Sequence, residues 1–129
     1  MTVLGIGIDV VDLVRFRRTL EDLGDGFVKR IFTDDEAAYA ERSKRRRAER
    51  LAARFAAKEA LGKAIGSGMT EDVRWQEIEV VHEARGRPTL VLHGETGKTA
   101  TELGVDRVHL SLSHDGDVAA AMVVLEGEP

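Results

Sequence analysis

Asp9 and Glu59 are the residues whose placement implies chemistry. Asp9 falls in an apolar run, Gly5-Ile6-Gly7-Ile8-Asp9-Val10-Val11. Glu59 falls in an alanine-rich one, Arg54-Phe55-Ala56-Ala57-Lys58-Glu59-Ala60-Leu61-Gly62-Lys63-Ala64. A carboxylate on a half-buried surface loses hydration that only a cation or hydrogen-bond donors can replace. Two acids from distant segments, each near glycine and the second flanked by Lys58 and Lys63, suit a magnesium ion with a pyrophosphate above it. Magnesium keeps several waters and takes one or two carboxylates beside phosphate oxygens. The same residues also suit plain ion pairs, Glu59 with Lys63 four positions on and Asp9 with an arginine. Residue types alone leave both readings open.

The elements that must position these acids can be read from periodicity. Val3 to Val11 predicts a strand in which Leu4, Ile6, Ile8 and Val10 alternate with Gly5, Gly7 and Asp9. Asp9 therefore shares the glycine face, which lacks bulk and is expected to leave room for a ligand. Asp12 is a good N-cap, after which Leu13, Phe16, Leu20 and Leu23 recur at helical spacing until Gly24 stops them. Thr33 or Asp34 caps a second helix through Tyr39. A long helix follows from about Lys44 to Ile65, ending at Gly66-Ser67-Gly68. It carries Glu59 one turn after Phe55, at the margin of the buried stripe, and puts Gly62 on that stripe where another backbone can approach. Trp75 to His82 and Pro88 to Leu92 read as strands turning at Gly86, and Glu95 to Leu103 as a short helix closed by Gly104. Arg107 to Ser113 and Val118 to Leu125 form a hairpin across His114-Asp115-Gly116-Asp117. In its first strand Val108, Leu110 and Leu112 point inward while Ser111 and Ser113 face the other way.

His114, beside that tight turn, fits a turn residue as well as a ligand. His82, His93 and His109 show no metal spacing and receive no role. Gly5-x-Gly7 lacks the rest of a dinucleotide fingerprint and opens no helix.

Composition bounds the function. A chain of 129 residues is expected to form one domain, and 43% hydrophobic with 33% charged residues excludes a disordered or membrane protein. No apolar run approaches the roughly 20 residues of a bilayer span. The N-terminus does not read as a signal peptide, and there are no cysteines, which removes disulfides, thiolate nucleophiles and zinc-cysteine sites. A cytoplasmic setting is the simplest expectation. Between Arg42 and Lys63 nine basic side chains face only Glu49 and Glu59, a net +7, so the rest of this −4 chain carries −11. An acidic protein with one concentrated basic segment is a poor general nucleic-acid binder but a good receiver of phosphates. A solvated helix face would account for Arg42 to Arg50 equally well.

Three segments together resemble one family. Gly5-Ile6-Gly7-Ile8-Asp9, Arg54-Phe55-Ala56-Ala57-Lys58-Glu59-Ala60 with Lys63, and His109-Leu110-Ser111-Leu112-Ser113-His114 are similar to the signature of the holo-acyl-carrier-protein synthases, the small single-repeat class of 4′-phosphopantetheinyl transferase. Ile31-Phe32-Thr33 with Glu36, Lys44-Arg45 and Gly86-Arg87-Pro88 add to the match, which runs in order from about residue 3 to 125.

The resemblance implies an α+β fold of the 4′-phosphopantetheinyl transferase type, with an antiparallel-rich sheet packed against one long helix and shorter helices. It also implies transfer of the phosphopantetheine arm of coenzyme A to a serine of an apo acyl carrier protein, releasing 3′,5′-ADP. On this carry-over Asp9 and Glu59 hold magnesium against the pyrophosphate, and Lys58 and Lys63 contact that pyrophosphate. Lys44, Arg45 and Arg54 surround the nucleotide and its 3′-phosphate, and Ser113 and His114 line the coenzyme pocket. Larger two-repeat transferases carry a second acid two residues after the strand aspartate. Here that position is Val11, as is usual for the small class, and a water would complete the metal shell. The single repeat implies a homotrimer with sites between subunits, so His114 would serve a neighbour's metal. Arg15 and Arg18, with Arg17, lie outside the apolar stripe of the first helix and are expected to dock an acidic carrier.

Two other classes share parts of the pattern. A ribonuclease H-like nuclease also begins with a strand of this kind, but needs a further acid pair near the C-terminus, where Asp115 and Asp117 sit in a turn. A non-catalytic trimeric module that binds a phosphate ligand would need no acid on the glycine face.

Overall fold

The structure, a computed structural model, describes residues 1–129. Its strands are β1 (Thr2–Asp12), β2 (Ile78–His82), β3 (Pro88–Leu92), β4 (Val105–Asp115) and β5 (Val118–Gly127). Its helices are α1 (Leu13–Ile31), α2 (Asp34–Glu41), α3 (Arg47–Ile65) and α4 (Gly94–Glu102). The antiparallel sheet β1-β5-β4 packs against α3, and β2 and β3 pair as a separate two-stranded ribbon. This is the α+β architecture expected from the sequence. No helix is long and apolar enough to cross a membrane.

The alternation in β1 sorts its residues as predicted, but the two faces meet different surroundings. Gly7 and Val11 are buried toward α3, whereas Ile6, Ile8 and Val10 are 63%, 59% and 61% exposed on the opposite face. The glycine face is not vacant. A Cβ at Gly7 would lie 1.9 Å from the carbonyl oxygen of Ala60, and one at Gly5 would lie 2.0 Å from that of Ala64. The space expected for a ligand is taken by the backbone of α3 itself. The helix meets the sheet with small residues, Ala56, Ala57 and Ala60, against the inward row Ala119, Ala121, Val123 and Leu125 of β5, all buried. Small residues on both sides bring backbones close, and that closeness sets where the side chains just beyond the crossing can meet.

Three local expectations are corrected. The first helix does not stop at Gly24. That residue takes a left-handed φ of 60° with ψ of −150°, and helical turns resume through Ile31. The kink re-aims the chain, so Phe27, Val28 and Ile31 pack on the core, while Leu23, expected on the buried stripe, is 55% exposed. Phe27 then joins Phe16 and Phe55 in an aromatic cluster with ring centroids 5.5 to 6.1 Å apart. The long helix begins at Arg47, and Lys44 to Arg46 form an exposed turn before it. Trp75 to Glu77 make a short 3₁₀ turn that lets Trp75 stack on Phe55 at 5.0 Å, and the strand starts only at Ile78. The predicted caps are present: the Asp12 carboxylate accepts from the Arg15 N–H at 3.2 Å, and Thr33 with Glu36 forms a reciprocal capping box.

If the crossing depends on these glycines, Gly7→Ala should cost about 3 kcal/mol or more in a urea melt, because the clash is with backbone and cannot be relieved by a rotamer change. Gly26→Ala, in the exposed second half of α1 with nothing within 4 Å, should be neutral or stabilising by roughly 0.5–1 kcal/mol. Equal losses at both positions would refute the close-crossing account.

Candidate active site

Just past the glycine crossing, α3 delivers a lysine to β1. The Lys63 ammonium donates to Asp9 Oδ1 at 2.8 Å and to the Ile8 carbonyl at 3.1 Å. The Asp9 side chain is only 11% exposed, whereas that of Lys63 is 55% exposed. Glu59, one turn earlier on α3, stands close enough to Asp9 that the two carboxyls interact. Burial first, and then the charge of Asp9, push the Glu59 pKa upward against the opposing pull of Lys63. Neither sequence-level ion pair is formed as expected: Lys63 pairs with Asp9 rather than Glu59, and the partner of Asp9 is a lysine rather than an arginine.

This geometry is a pair of mutually repelling carboxylates with one exposed cation beside them. A divalent ion relieves that repulsion directly, and no third histidine or acid joins the pair. The remaining positions around such an ion would fall to water or phosphate oxygens, which is how magnesium is ordinarily held. The residues therefore fit magnesium, and they lack the further acids that a two-metal nuclease needs. A cavity of ≈ 240 Å³ opens beside Glu59, lined by Phe16, Phe27, Phe55 and Arg15 among others. Arg15, Arg17 and Arg18 are exposed on α1.

The other basic residues separate. Lys58, expected at the pyrophosphate, is fully buried. Its ammonium pairs with Glu36 Oε1 at 2.8 Å and donates to the carbonyls of Trp75, at 2.8 Å, and Ile78. Glu36 also accepts from the Thr33 N–H at 2.9 Å and the Val80 N–H at 2.9 Å, so one carboxylate ties α2, α3 and β2 together. Lys58 leaves α3 about 100° around the axis from Glu59, and so faces α2 and β2 rather than the Asp9 site. Glu36 is the residue whose role the sequence reading understated. Its signals were the spacing from Thr33 and its place in the family match, and neither showed the second oxygen's job across the fold.

Arg54 is also buried, 3% exposed. Its guanidinium lies 4.3 Å from the centre of the Tyr39 ring and donates to the Arg50 carbonyl at 3.2 Å. Burial pulls its pKa down, with Glu36 opposing. Lys44 and Arg45 are exposed in the turn ahead of α3. His114 is exposed, with Nε2 3.2 Å from Glu49 Oε1. Glu49 lies ten residues before Glu59, about 15 Å along the helix axis. Ser113 is exposed on the sheet face that points away from α3. Within one chain, then, Asp9, Glu59 and Lys63 come together, while Ser113, His114, Lys44 and Arg45 stay apart from them.

Known proteins share both the sequence and this fold. Residues 5–123 match the model of the 4′-phosphopantetheinyl transferase superfamily. The chain is 48% identical over 124 residues to a holo-[acyl-carrier-protein] synthase of Solibacter usitatus, covering 96% of this chain and 98% of that one. The corresponding enzyme of Geobacter sulfurreducens is 46% identical with the same coverage. Among solved structures, the holo-[acyl-carrier-protein] synthase of Neisseria meningitidis superposes with a TM-score of 0.91 at 37% identity, over 97% of this chain and 99% of that one. The Bacillus anthracis synthase, in complex with CoA (3′,5′-ADP), gives 0.82 at 38% identity, over 99% and 100%. The chain belongs to the 4′-phosphopantetheinyl transferase superfamily and, within it, to the holo-[acyl-carrier-protein] synthase family. It is an enzyme of the transferase class.

Two variants test the site. Because the Glu59 pKa is raised in the folded protein, its ionisation opposes folding: its contribution is full below the unfolded carboxylate pKa and is lost as pH rises through the folded value. Glu59→Gln should therefore melt with the parent in acid and above it near neutrality. Magnesium should raise the Tm of the parent and leave the variant nearly unmoved. A magnesium response that survives the substitution would remove Glu59 from the metal site. Lys58→Met should lose about 3–5 kcal/mol, as expected when one partner of a buried ion pair is removed, with the KM for the phosphate donor unchanged at temperatures where the variant is folded. A raised KM without a stability loss would return Lys58 to the substrate.

Proposed function

We propose that this chain transfers the 4′-phosphopantetheine arm of coenzyme A to a serine hydroxyl of an apo acyl carrier protein, with magnesium, leaving 3′,5′-ADP. The observation that carries this reading is the Asp9–Glu59 pair, shared with the exposed Lys63 ammonium beside an open cavity. When bound there, a magnesium ion supplies Lewis-acid polarisation of the pyrophosphate and neutralises charge on the leaving nucleotide. The serine hydroxyl gives up its proton to solvent water as its oxygen forms a bond to the β-phosphorus. The bond from that phosphorus to the oxygen bridging to the α-phosphate breaks, and the electron pair leaves on 3′,5′-ADP.

The parts are divided between this site and more distant residues. Asp9 and Glu59 would hold the ion, and Lys63, whose side chain is largely exposed, would reach phosphate oxygens. Lys44, Arg45 and Arg54 hold the 3′-phosphate end of the donor. Arg15 and Arg18 receive the acidic carrier, whose serine then enters beside Glu59. The apolar outer row Ile6, Ile8 and Val10, continued on β5 by Met122 at 44% exposure, supports assembly with further copies. In a homotrimer that row is covered, and Ser113 and His114 of one subunit can approach the carboxylates of its neighbour. The cysteine-free chain suits work in the cytoplasm.

Incubating apo acyl carrier protein with coenzyme A and magnesium should add the arm, seen as the corresponding gain in intact mass, and omitting magnesium should abolish it. Kinetics should separate the two substrates. Arg45→Ala should impair coenzyme A more than dephospho-coenzyme A, and Arg15→Glu should raise the KM for carrier protein several-fold with that for coenzyme A nearly unchanged. An unmodified carrier under these conditions would reject the function. Equal losses for both donors would place the 3′-phosphate elsewhere.

A further inference from the structure

The kink in α1 leaves its two halves with unequal support. Gly24 breaks the helical ladder, and a Cβ at Gly24 or at Gly26 would meet nothing within 4 Å. The half from Asp25 to Ile31 is thus joined to the first through two residues of the least restrained type. Yet that half supplies Phe27, which with Phe16 and Phe55 walls the cavity of ≈ 240 Å³ beside Glu59. Burial of Val28 and Ile31 holds the half-helix against the core, but apolar contact is non-directional and does not fix its pitch. A directional restraint has to come from outside α1.

Gln76 supplies it. The residue is exposed, but its side-chain amide donates to the carbonyls of Phe32, at 3.1 Å, and Lys29. Lys29 lies in the last turn of α1 and Phe32 ends the helix, where carbonyls lack partners within the helix itself. The 3₁₀ turn that carries Gln76 is firmly seated. On one side of Gln76, Trp75 stacks on Phe55 with ring planes at 13°, and its carbonyl accepts from the Lys58 ammonium at 2.8 Å. On the other, Glu77 Oε1 accepts from the Thr96 N–H and hydroxyl, both at 3.0 Å, and the Glu77 carbonyl accepts from the His93 N–H at 2.8 Å. Three consecutive residues therefore grip three helices: Trp75 holds α3, Gln76 holds α1 and Glu77 holds α4.

We propose that the half-helix from Asp25 to Ile31 is a hinged wall of the acceptor cavity and that Gln76 is the positioning residue that latches it. The carrier segment around the serine then meets a surface already in place. The inference rests on the carrier-protein reading given above. Two hydrogen bonds at an exposed side chain contribute little to global stability. A wall that the carrier must first order, however, weakens apparent affinity in proportion to the time the wall spends out of place. Loss of the latch therefore acts on the acceptor and not on the donor, whose proposed contacts do not involve α1.

Gln76→Met keeps the length of the side chain and removes its donors. The parent, this variant, Gly26→Ala and the double variant are compared in two measurements. One is steady-state transfer to apo acyl carrier protein with each substrate varied in turn. The other is hydrogen exchange of residues 25–32 in the absence of carrier. Gln76→Met should raise the KM for carrier roughly two- to tenfold, the factor that one net hydrogen bond represents, with kcat and the KM for coenzyme A nearly unchanged. Exchange in residues 25–32 should quicken. Gly26→Ala stiffens the half-helix and should restore both quantities in the double variant. A merely structural role would lower the Tm and leave both KM values unchanged wherever the variant is folded. A carrier KM that does not rise, or that stays raised in the double variant, overturns the inference while the transferase reading stands. Exchange in Gln76→Met as slow as in the parent overturns it equally. If the parent transfers nothing to the carrier, both readings fall.

Discussion

The contact on which the site depends is the crossing of α3 over the glycine face of β1. Gly5 and Gly7 admit the carbonyls of Ala64 and Ala60 to distances no Cβ would allow. A helix seated that deeply has little freedom to slide or rotate, because the facing atoms are backbone and cannot change rotamer. Asp9 follows Gly7 by one strand repeat, and Glu59 and Lys63 immediately precede the contacting helix residues, Ala60 and Ala64. The crossing therefore sets the separation of the two carboxylates. A strand or helix with larger residues here would keep the same three functional groups and misplace them.

Charge is the second organising feature of α3. Its basic side chains are divided by helical angle into different environments. Lys58 enters the interior and closes on Glu36, Arg54 is sandwiched beside Tyr39, and Lys63 reaches across to Asp9 with its ammonium still in solvent. The buried pair is costly to form and more costly to break, so it contributes a unique mutual placement of α2, α3 and β2 rather than surplus stability. The exposed lysine has the opposite character. It screens one carboxylate in the resting protein and is free to exchange that partner.

The raised pKa of Glu59 has the same origin as the affinity for a cation proposed for the site. Burial and the neighbouring aspartate make the ionised pair unfavourable, and a single lysine relieves it only in part. A fold that holds two acids in this condition carries electrostatic stress that binding of a divalent ion would release. The stress is tolerated because the aromatic cluster around Phe55 and the inward row of β5 support α3 from both sides.

Much of this was written in local sequence. The alternation in β1, the Asp12 and Thr33 caps and the alanine-rich helix depend on neighbours within a turn or two. The two misplaced acids were visible for the same reason, since a carboxylate in an apolar run is conspicuous wherever it is read. The elements that went wrong, the helix past Gly24 and the 3₁₀ turn at Trp75, are those whose local signal was overruled by aromatic packing from distant segments. By itself the sequence determined the element types and the family, together with the identity of Asp9, Glu59 and Lys63. Only the tertiary structure decided that the glycine face would be filled by helix backbone, that Lys63 would serve Asp9, and that Lys58 would be withdrawn into the core. Those outcomes depend on which backbones approach within van der Waals distance and on which charges lose their water, and neither is a property of any one stretch of chain.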